Sequence, residues 1–252
     1  MDDLKDKVAL VTGSSRGIGA AIAAEFARHG AKVAVHGRDT AAMTTVREGI
    51  ERAGGRAIQI AADITSFAEI EEMRRRIESE LGPIDVLVAN AGGSPVRPGP
   101  VELIEEDAWR ASVDANLTAT FLTIKSVLPG MKERGSGCII TMSSAAARRP
   151  HPGSPVAYAA AKAGIELLTQ DVAMQAGPAG VRANCIAPET ILTENNQGLI
   201  PPEVQKQLVD AHPLRRLGTP QDVARAAVFL AGAESAWITG VVVDVAGGAV
   251  MV

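Results

Sequence analysis

Cysteine, histidine and tyrosine are scarce in this sequence. Its two cysteines, Cys138 and Cys185, both fall in strand-like apolar runs, with no CxxC pair and no Cys/His cluster. That pattern offers no metal-ligand set and no disulfide framework, and it reads as buried free thiols in a reducing compartment. Metal is therefore not expected. No apolar run approaches the roughly 20 residues that a membrane helix needs. The opening Met1-Asp-Asp-Leu-Lys-Asp-Lys is acidic and polar and does not read as a signal peptide. A cytoplasmic location is the expectation. An excess of positive charge is missing too: the formal net charge is −4, which argues against a nucleic-acid binder or a membrane-surface binder. Repeats, low-complexity tracts and linkers are lacking.

What is present suits a soluble globular protein: 46% hydrophobic and 21% charged over 252 residues. That length holds one large α/β domain or two small ones. Twenty-five glycines and many alanines suggest tight strand-to-helix packing. Short apolar runs at 7–12, 32–36, 56–61, 84–89, 137–142, 181–186 and 241–245 read as strands. Helical stretches fall between them at 20–29, 40–53, 66–81, 105–133, 156–176 and 220–230, with a further short helix at 201–210. Strand and helix alternate throughout, and no domain boundary interrupts them. The expected fold is α/β: a single doubly wound Rossmann domain, with a mostly parallel seven-stranded sheet and helices on both faces. The 189–212 segment reads as a substrate lid.

The first strand ends in Thr12-Gly13-Ser14-Ser15-Arg16-Gly17-Ile18-Gly19, and a helix follows. Strand, glycine loop, helix is the context of a dinucleotide fingerprint. The glycines let the backbone approach a pyrophosphate, and the helix N-terminus supplies free N–H groups with positive dipole character. Gly13, Ser15, Arg16, Gly17, Ile18 and Gly19 are therefore candidate cofactor residues. An NAD-preferring unit carries an acid near the end of the second strand. Here Gly37 takes that position and Arg38 follows it, which suits the 2′-phosphate of NADP. Arg16 offers a second charge. Asp39 reads as the cap of the next helix rather than the missing acid. NADP(H) is the favoured cofactor and NAD(H) the alternative. Asp63 and Ile64 stand where an adenine edge would lie, with Asp63 equally readable as a helix cap. Asn90, Ala91 and Gly92 end the fourth strand as close-approach backbone.

The stretch Tyr158-Ala-Ala-Ala-Lys162 holds the one tyrosine of the chain. At i and i+4 the two side chains share a helix face. An ammonium beside a phenol favours the phenolate, so the Tyr158 pKa is expected to fall toward neutral. A phenol tuned that way exchanges protons at working pH. Asn116, inside the long 105–133 helix, would usually point to solvent.

Taken together these residues resemble the short-chain dehydrogenase/reductase family. The likeness runs from Lys7 to about Gly248 and includes Thr12–Gly19, Asp63, Asn90-Ala91-Gly92, Asn116, Ser144, Tyr158, Lys162, the strand at 181–188 and Pro213–Pro220. It implies that Tyr158 is general acid for carbonyl reduction or base for alcohol oxidation. Ser144 would hydrogen-bond the substrate oxygen, in preference to Ser143. Lys162 would lower the Tyr158 pKa and bond the nicotinamide ribose. Asn116 would hold a water in the proton relay. Hydride would pass directly between nicotinamide and a ketone or secondary alcohol. Pro188, Ile191 and Thr193 would flank the cofactor's carboxamide end. Members commonly pair through the helices holding Asn116 and Tyr158, so a homotetramer is expected, with a small-molecule substrate.

Three positions depart from the family pattern: Ala89 replaces a first asparagine, Glu189 follows Pro188 in place of glycine, and Ala246 precedes Gly247-Gly248. Glu189 either repels anionic substrates, holds a cationic group, or simply faces water. In the 145–155 loop, Arg148 and Arg149 read best as solvated, while His151 is a candidate substrate contact with no partner visible in the sequence. Basic surface there would otherwise suit carrier-bound acyl chains, as in 3-oxoacyl-carrier-protein reductases. The alternative function is a non-catalytic NADP-binding redox sensor or regulator; an intact acid set argues against it.

Overall fold

The computed structural model describes residues 4–94, 96–151, 153–194, 196–198 and 200–251. The start at Met1-Asp-Asp, Pro95 and Pro152 in their loops, and Asn195 and Leu199 in the expected lid lie outside the described residues. The first half reads β1 (Val8–Val11), α1 (Gly17–Arg28), β2 (Lys32–Gly37), α2 (Thr40–Arg52), β3 (Arg56–Ala61), α3 (Phe67–Glu80) and β4 (Val86–Ala89). The second half reads α4 (Glu106–Val113), α5 (Ala119–Arg134), β5 (Gly137–Met142), α6 (Ala145–Arg148), α7 (Val156–Ala176), β6 (Val181–Pro188), α8 (Pro202–Ala211), α9 (Pro220–Ala231) and β7 (Val242–Val245).

The strands form one sheet in the order β3-β2-β1-β4-β5-β6-β7. Every neighbouring pair runs parallel. Parallel strands are covered on both faces, which is why they read as unbroken apolar runs. Alternate residues feed opposite cores. Val11, Val33, Val88 and Ile140 pack with Phe26 of α1 and Ala227 of α9. Leu10, Ala34, Leu87 and Ile139 pack with Ile77 of α3, Met131 of α5 and Ala176 of α7. Cys138 and Cys185 are free and buried, and burial pushes both thiols up to about 11.

Three local departures from expectation bear on the site. The loop's last glycines belong to the first turn of α1, which opens at Gly17 rather than Ala20. The long 105–133 helix is divided by a π-helical turn at Asp114–Thr118, and Asn116 on that turn is buried rather than solvent-facing. The 145–155 loop begins with the single turn α6, whose N-terminus Ser144 caps by accepting from Ala146 N at 3.2 Å.

β1 lies between β2 and β4, so successive strands leave it in opposite directions. A crevice opens at such a switch point, beyond the carboxyl ends of β1 and β4.

Candidate active site

Thr12 and Asn90 build the floor of that crevice. Asn90 Nδ2 donates to the carbonyls of Thr12 at 2.9 Å and Gly13 at 3.1 Å. Thr12 Oγ1 in turn accepts from Asn90 N at 3.0 Å and Ala91 N at 3.1 Å. The glycine turn and the end of β4 are thus interlocked. A Cβ on Gly13, whose φ is +64°, would stand 2.8 Å from Ala91 Cα. A Cβ on Gly19 would stand 2.6 Å from Asn90 Nδ2. Neither position has room for a side chain.

His36 fixes the turn from the other side. Its Nδ1 accepts from Gly13 N at 3.1 Å, and its Nε2 lies 3.0 Å from the Ala62 carbonyl. The pair of bonds defines a neutral ring with its proton on Nε2. Burial holds this histidine below its ordinary value, against smaller opposing contributions from the Ala62 carbonyl and Asp63. In the sequence His36 is an ordinary strand residue. Its visible signal is a histidine as the penultimate residue of an otherwise apolar strand, level with the glycine turn.

Two clefts meet over this floor. One, of about 430 Å³, is lined by Ser15, Arg16, Gly37, Arg38, Asp63, Ile64, Asn90, Ala91 and Gly92 among others. The other, of about 650 Å³, is lined by Gly13, Arg16, Gly17, Ile18, Gly19, Ser144, Tyr158, Lys162, Pro188, Ile191 and Thr193 among others. Every expected site residue except Asn116 lines one or both. Asn116 stands just behind. Its Nδ2 donates to Gly93 O at 2.8 Å and Ser112 O at 2.7 Å, while its Oδ1 accepts from Gly93 N at 3.1 Å.

A dinucleotide fits these residues. Asp39, Ser66 and Thr219 cap α2, α3 and α9 with side chains, whereas α1 has no side-chain cap and no acid in its first turn. Its free N–H groups face the cleft through Gly17, Ile18 and Gly19. At the 430 Å³ end, Asp39 is a helix cap as expected and also pairs with Arg16. Asp63 does not cap α3. It accepts from the Thr65 N–H and hydroxyl at 2.8 and 2.7 Å, and Ser66 is the cap.

At the other end, Ser143 is buried, and its hydroxyl donates to Glu166 Oε1 at 2.7 Å. Ser144 lines the cleft with Tyr158 and is the neighbour that favours the phenolate. The electrostatics of Tyr158 and Lys162 correct the sequence expectation. Burial pushes the Tyr158 phenol up, and the Ser144 hydrogen bond only partly offsets it. Lys162, 4% exposed, is itself lowered to about 8 by burial. Its Nζ donates to Met142 O at 2.7 Å and lies 5.5 Å from the centre of the Tyr158 ring. Desolvation opposes charge on both groups, so in this structure the ammonium does not bring the phenol toward neutral pH.

The 145–155 loop brings a second correction. Arg148 is not a solvated group: it is held between Glu166 at 2.9 Å and Asp244 at 3.0 Å. Arg149 and His151 are exposed, and His151 Nδ1 accepts from Gly153 N at 3.0 Å within its own turn. Glu189 lines the larger cleft and accepts from the Thr190 hydroxyl at 2.8 Å.

A family model described as enoyl-(acyl carrier protein) reductase matches residues 13–250. A 7alpha-hydroxysteroid dehydrogenase of Escherichia coli (strain K12) is 36% identical over 247 residues, covering 98% of this chain and 95% of that one. A 3-oxoacyl-[acyl-carrier-protein] reductase of Chlamydia muridarum is 35% identical, over 97% of this chain and 98% of its own. The structure of a 7 alpha-hydroxysteroid dehydrogenase complexed with NADH and 7-oxo glycochenodeoxycholic acid superposes with a TM-score of 0.93 at 36% identity, covering 98% of this chain and 96% of that chain. The chain belongs to the short-chain dehydrogenase/reductase family.

The His36 clamp has a pH dependence of definite sign. The native ring is neutral, so its contribution is present above the ordinary value of about 6.5 and is lost as pH falls below it. A proton on Nδ1 would set N–H against the Gly13 N–H. Dinucleotide affinity, measured by fluorescence titration, is expected to hold at neutral pH and to fall on acidification below the ordinary histidine value of about 6.5. His36→Gln, able to accept and donate at once, is expected to flatten that fall. An unchanged slope in the variant would remove His36 from the loop's control.

Proposed function

We propose that this short-chain dehydrogenase/reductase is an NADP(H)-preferring enzyme that interconverts a ketone and a secondary alcohol, with Tyr158 exchanging the proton. One observation carries the reading. The Tyr158 phenol, the Ser144 hydroxyl and the Lys162 amine line the same cleft as the uncapped N-terminus of α1.

A bound nicotinamide dinucleotide supplies or accepts the hydride. The residues of the chain do the rest. Tyr158 gives its proton to the substrate oxygen as the carbonyl carbon is reduced, and Ser144 donates a hydrogen bond to the charge that develops there. A phenol raised by burial stays protonated near neutrality, which favours the reducing direction; alcohol oxidation gains as pH rises. Lys162 commits one donor to Met142 and keeps two for ribose hydroxyls. Asn116 has its amide engaged by Gly93 and Ser112, so the relay water we assign to it would sit on the disturbed backbone of the π-turn. Residues 189–212, with α8 and no buried residue on it, form the lid over the substrate.

For the cofactor, a Cβ on Gly37 would already stand 3.0 Å from Ser15 Cβ and Oγ, so an acid at that position is crowded out. Asp39 is engaged by Arg16 and the N-terminus of α2. Arg38 is exposed and lines the same cleft end as Asp63, whose carboxyl is held low chiefly by Thr65 and in smaller part by the Arg38 charge. Arg38 is therefore the principal 2′-phosphate residue, with Arg16 joining it only by leaving Asp39. NAD(H) is the alternative, since the related hydroxysteroid dehydrogenase binds NADH.

Trp109 on α4, Phe121 on α5, and Leu167 and Met174 on α7 expose 39, 46, 62 and 71% of their surface. These helices are the expected pairing face of a cytoplasmic homotetramer. Light scattering is expected to give four chains per particle, and a monomer at micromolar concentration would contradict that assembly.

Tyr158→Phe is expected to lower turnover by about 10²- to 10⁴-fold in NADPH-linked reduction of a panel of ketones, sugars, quinones and acyl thioesters. Undiminished turnover would take Tyr158 out of the mechanism. Arg38→Ala is expected to weaken NADPH binding about tenfold or more and leave NADH unchanged. Tighter NADH binding by the unaltered protein would show the phosphate pocket to be misassigned.

A further inference from the structure

Ser144 is flanked by two ties to a single carboxylate. On one side, the Ser143 hydroxyl donates to Glu166 Oε1 at 2.7 Å. On the other, Arg148 at the end of α6 donates from Nη1 to Glu166 Oε2 at 2.9 Å. Each oxygen of Glu166 therefore holds one side of the turn that carries Ser144. Arg148 continues the chain of contacts, donating from Nε and Nη2 to the two oxygens of Asp244 on β7 at 3.0 and 3.4 Å. The three side chains are only 19, 13 and 18% exposed. Ala145 packs with Ala246 and Val250 behind them.

α6 has four residues, too few to hold its shape alone. Its orientation is set by what anchors it, and Ser144 is its cap. Glu166 stands one turn beyond Lys162 and two beyond Tyr158 on the same face of α7. The helix that carries the phenol therefore also carries the group that holds the serine opposite it. We propose that Glu166 is a positioning residue: through Ser143 and Arg148 it aims the Ser144 hydroxyl at the Tyr158 phenol, with Asp244 steadying Arg148 from β7. This inference rests on the roles of Ser144 and Tyr158 given above.

The chain has one tyrosine, so the ultraviolet signal of tyrosinate reports Tyr158 without any substrate. Glu166→Gln keeps an acceptor for Ser143 but turns an amide N–H toward Arg148, which breaks that arm. Its phenol is expected to titrate at higher pH than in the unaltered protein, because a misaimed Ser144 no longer favours the phenolate. Ketone turnover is expected to fall about tenfold to a hundredfold, with the dinucleotide KM within about twofold. The deciding comparison is a double-mutant cycle with Ser144→Ala. If Glu166 acts through Ser144, Glu166→Gln adds no further loss and no further titration shift once Ser144 is alanine. Losses that multiply in the double variant would overturn the proposal while leaving Ser144 in its role. A Ser144→Ala protein with full turnover would overturn both. Where Glu166→Gln fails to fold, Arg148→Met serves: it leaves the Ser143–Glu166 bond, and its smaller loss is likewise expected to vanish in the Ser144→Ala background.

Discussion

The structure depends on the close approach of two strand ends. Thr12 and Asn90 exchange backbone and side-chain hydrogen bonds across the β1–β4 boundary. Glycine at 13 and 19 is what lets the turn come that near. From this contact the rest is positioned: α1 starts directly behind the turn with its N–H groups uncapped, and Asn116 reaches Gly93 from the π-turn. His36 closes the arrangement from β2 by joining the turn to the end of β3. A cleft built from backbone at a sheet's switch point needs few special side chains. A chain with little cysteine, histidine or tyrosine can therefore still form one.

The acid–base side of the cleft is governed by solvation rather than by pairing. Tyr158 and Lys162 share a face of α7, and spacing alone suggests an ion pair that pulls the phenol down. Burial acts on both groups in the opposite sense, raising the phenol and lowering the amine. Burial dominates the phenol, and the neighbour that partly offsets it is Ser144. The turn that carries Ser144 is tied down by half-buried charge: Glu166 and Asp244 both pair with Arg148.

Much of this was legible in the sequence because it rests on local pattern. Parallel strands buried on both faces give continuous apolar runs, so all seven were readable, with ends displaced by a residue or two. The turn residues Gly13, Gly17 and Gly19 and the cap Asp39 followed from position along the chain, whereas the preference for Ser144 over Ser143 came from the family resemblance. What stayed hidden depends on contacts distant in sequence. Arg148 read as solvated because its partners lie 18 and 96 residues away. His36 read as an ordinary strand residue because its ring bonds Gly13 and Ala62. The burial of Asn116 arose from a π-turn that leaves no mark in helical periodicity. The direction of the Tyr158 shift required knowing how much water reaches the phenol, which spacing does not reveal.

The central claim is that one continuous crevice takes a dinucleotide with its reactive end at Tyr158. A crystal structure of the protein with NADPH tests it most directly. The account predicts the pyrophosphate on the N–H groups of Gly17, Ile18 and Gly19, the 2′-phosphate at Arg38, and the nicotinamide ribose on Lys162 beside the phenol. A dinucleotide bound outside this crevice, or lying in it with its nicotinamide toward Arg38 and Asp63, would contradict the account.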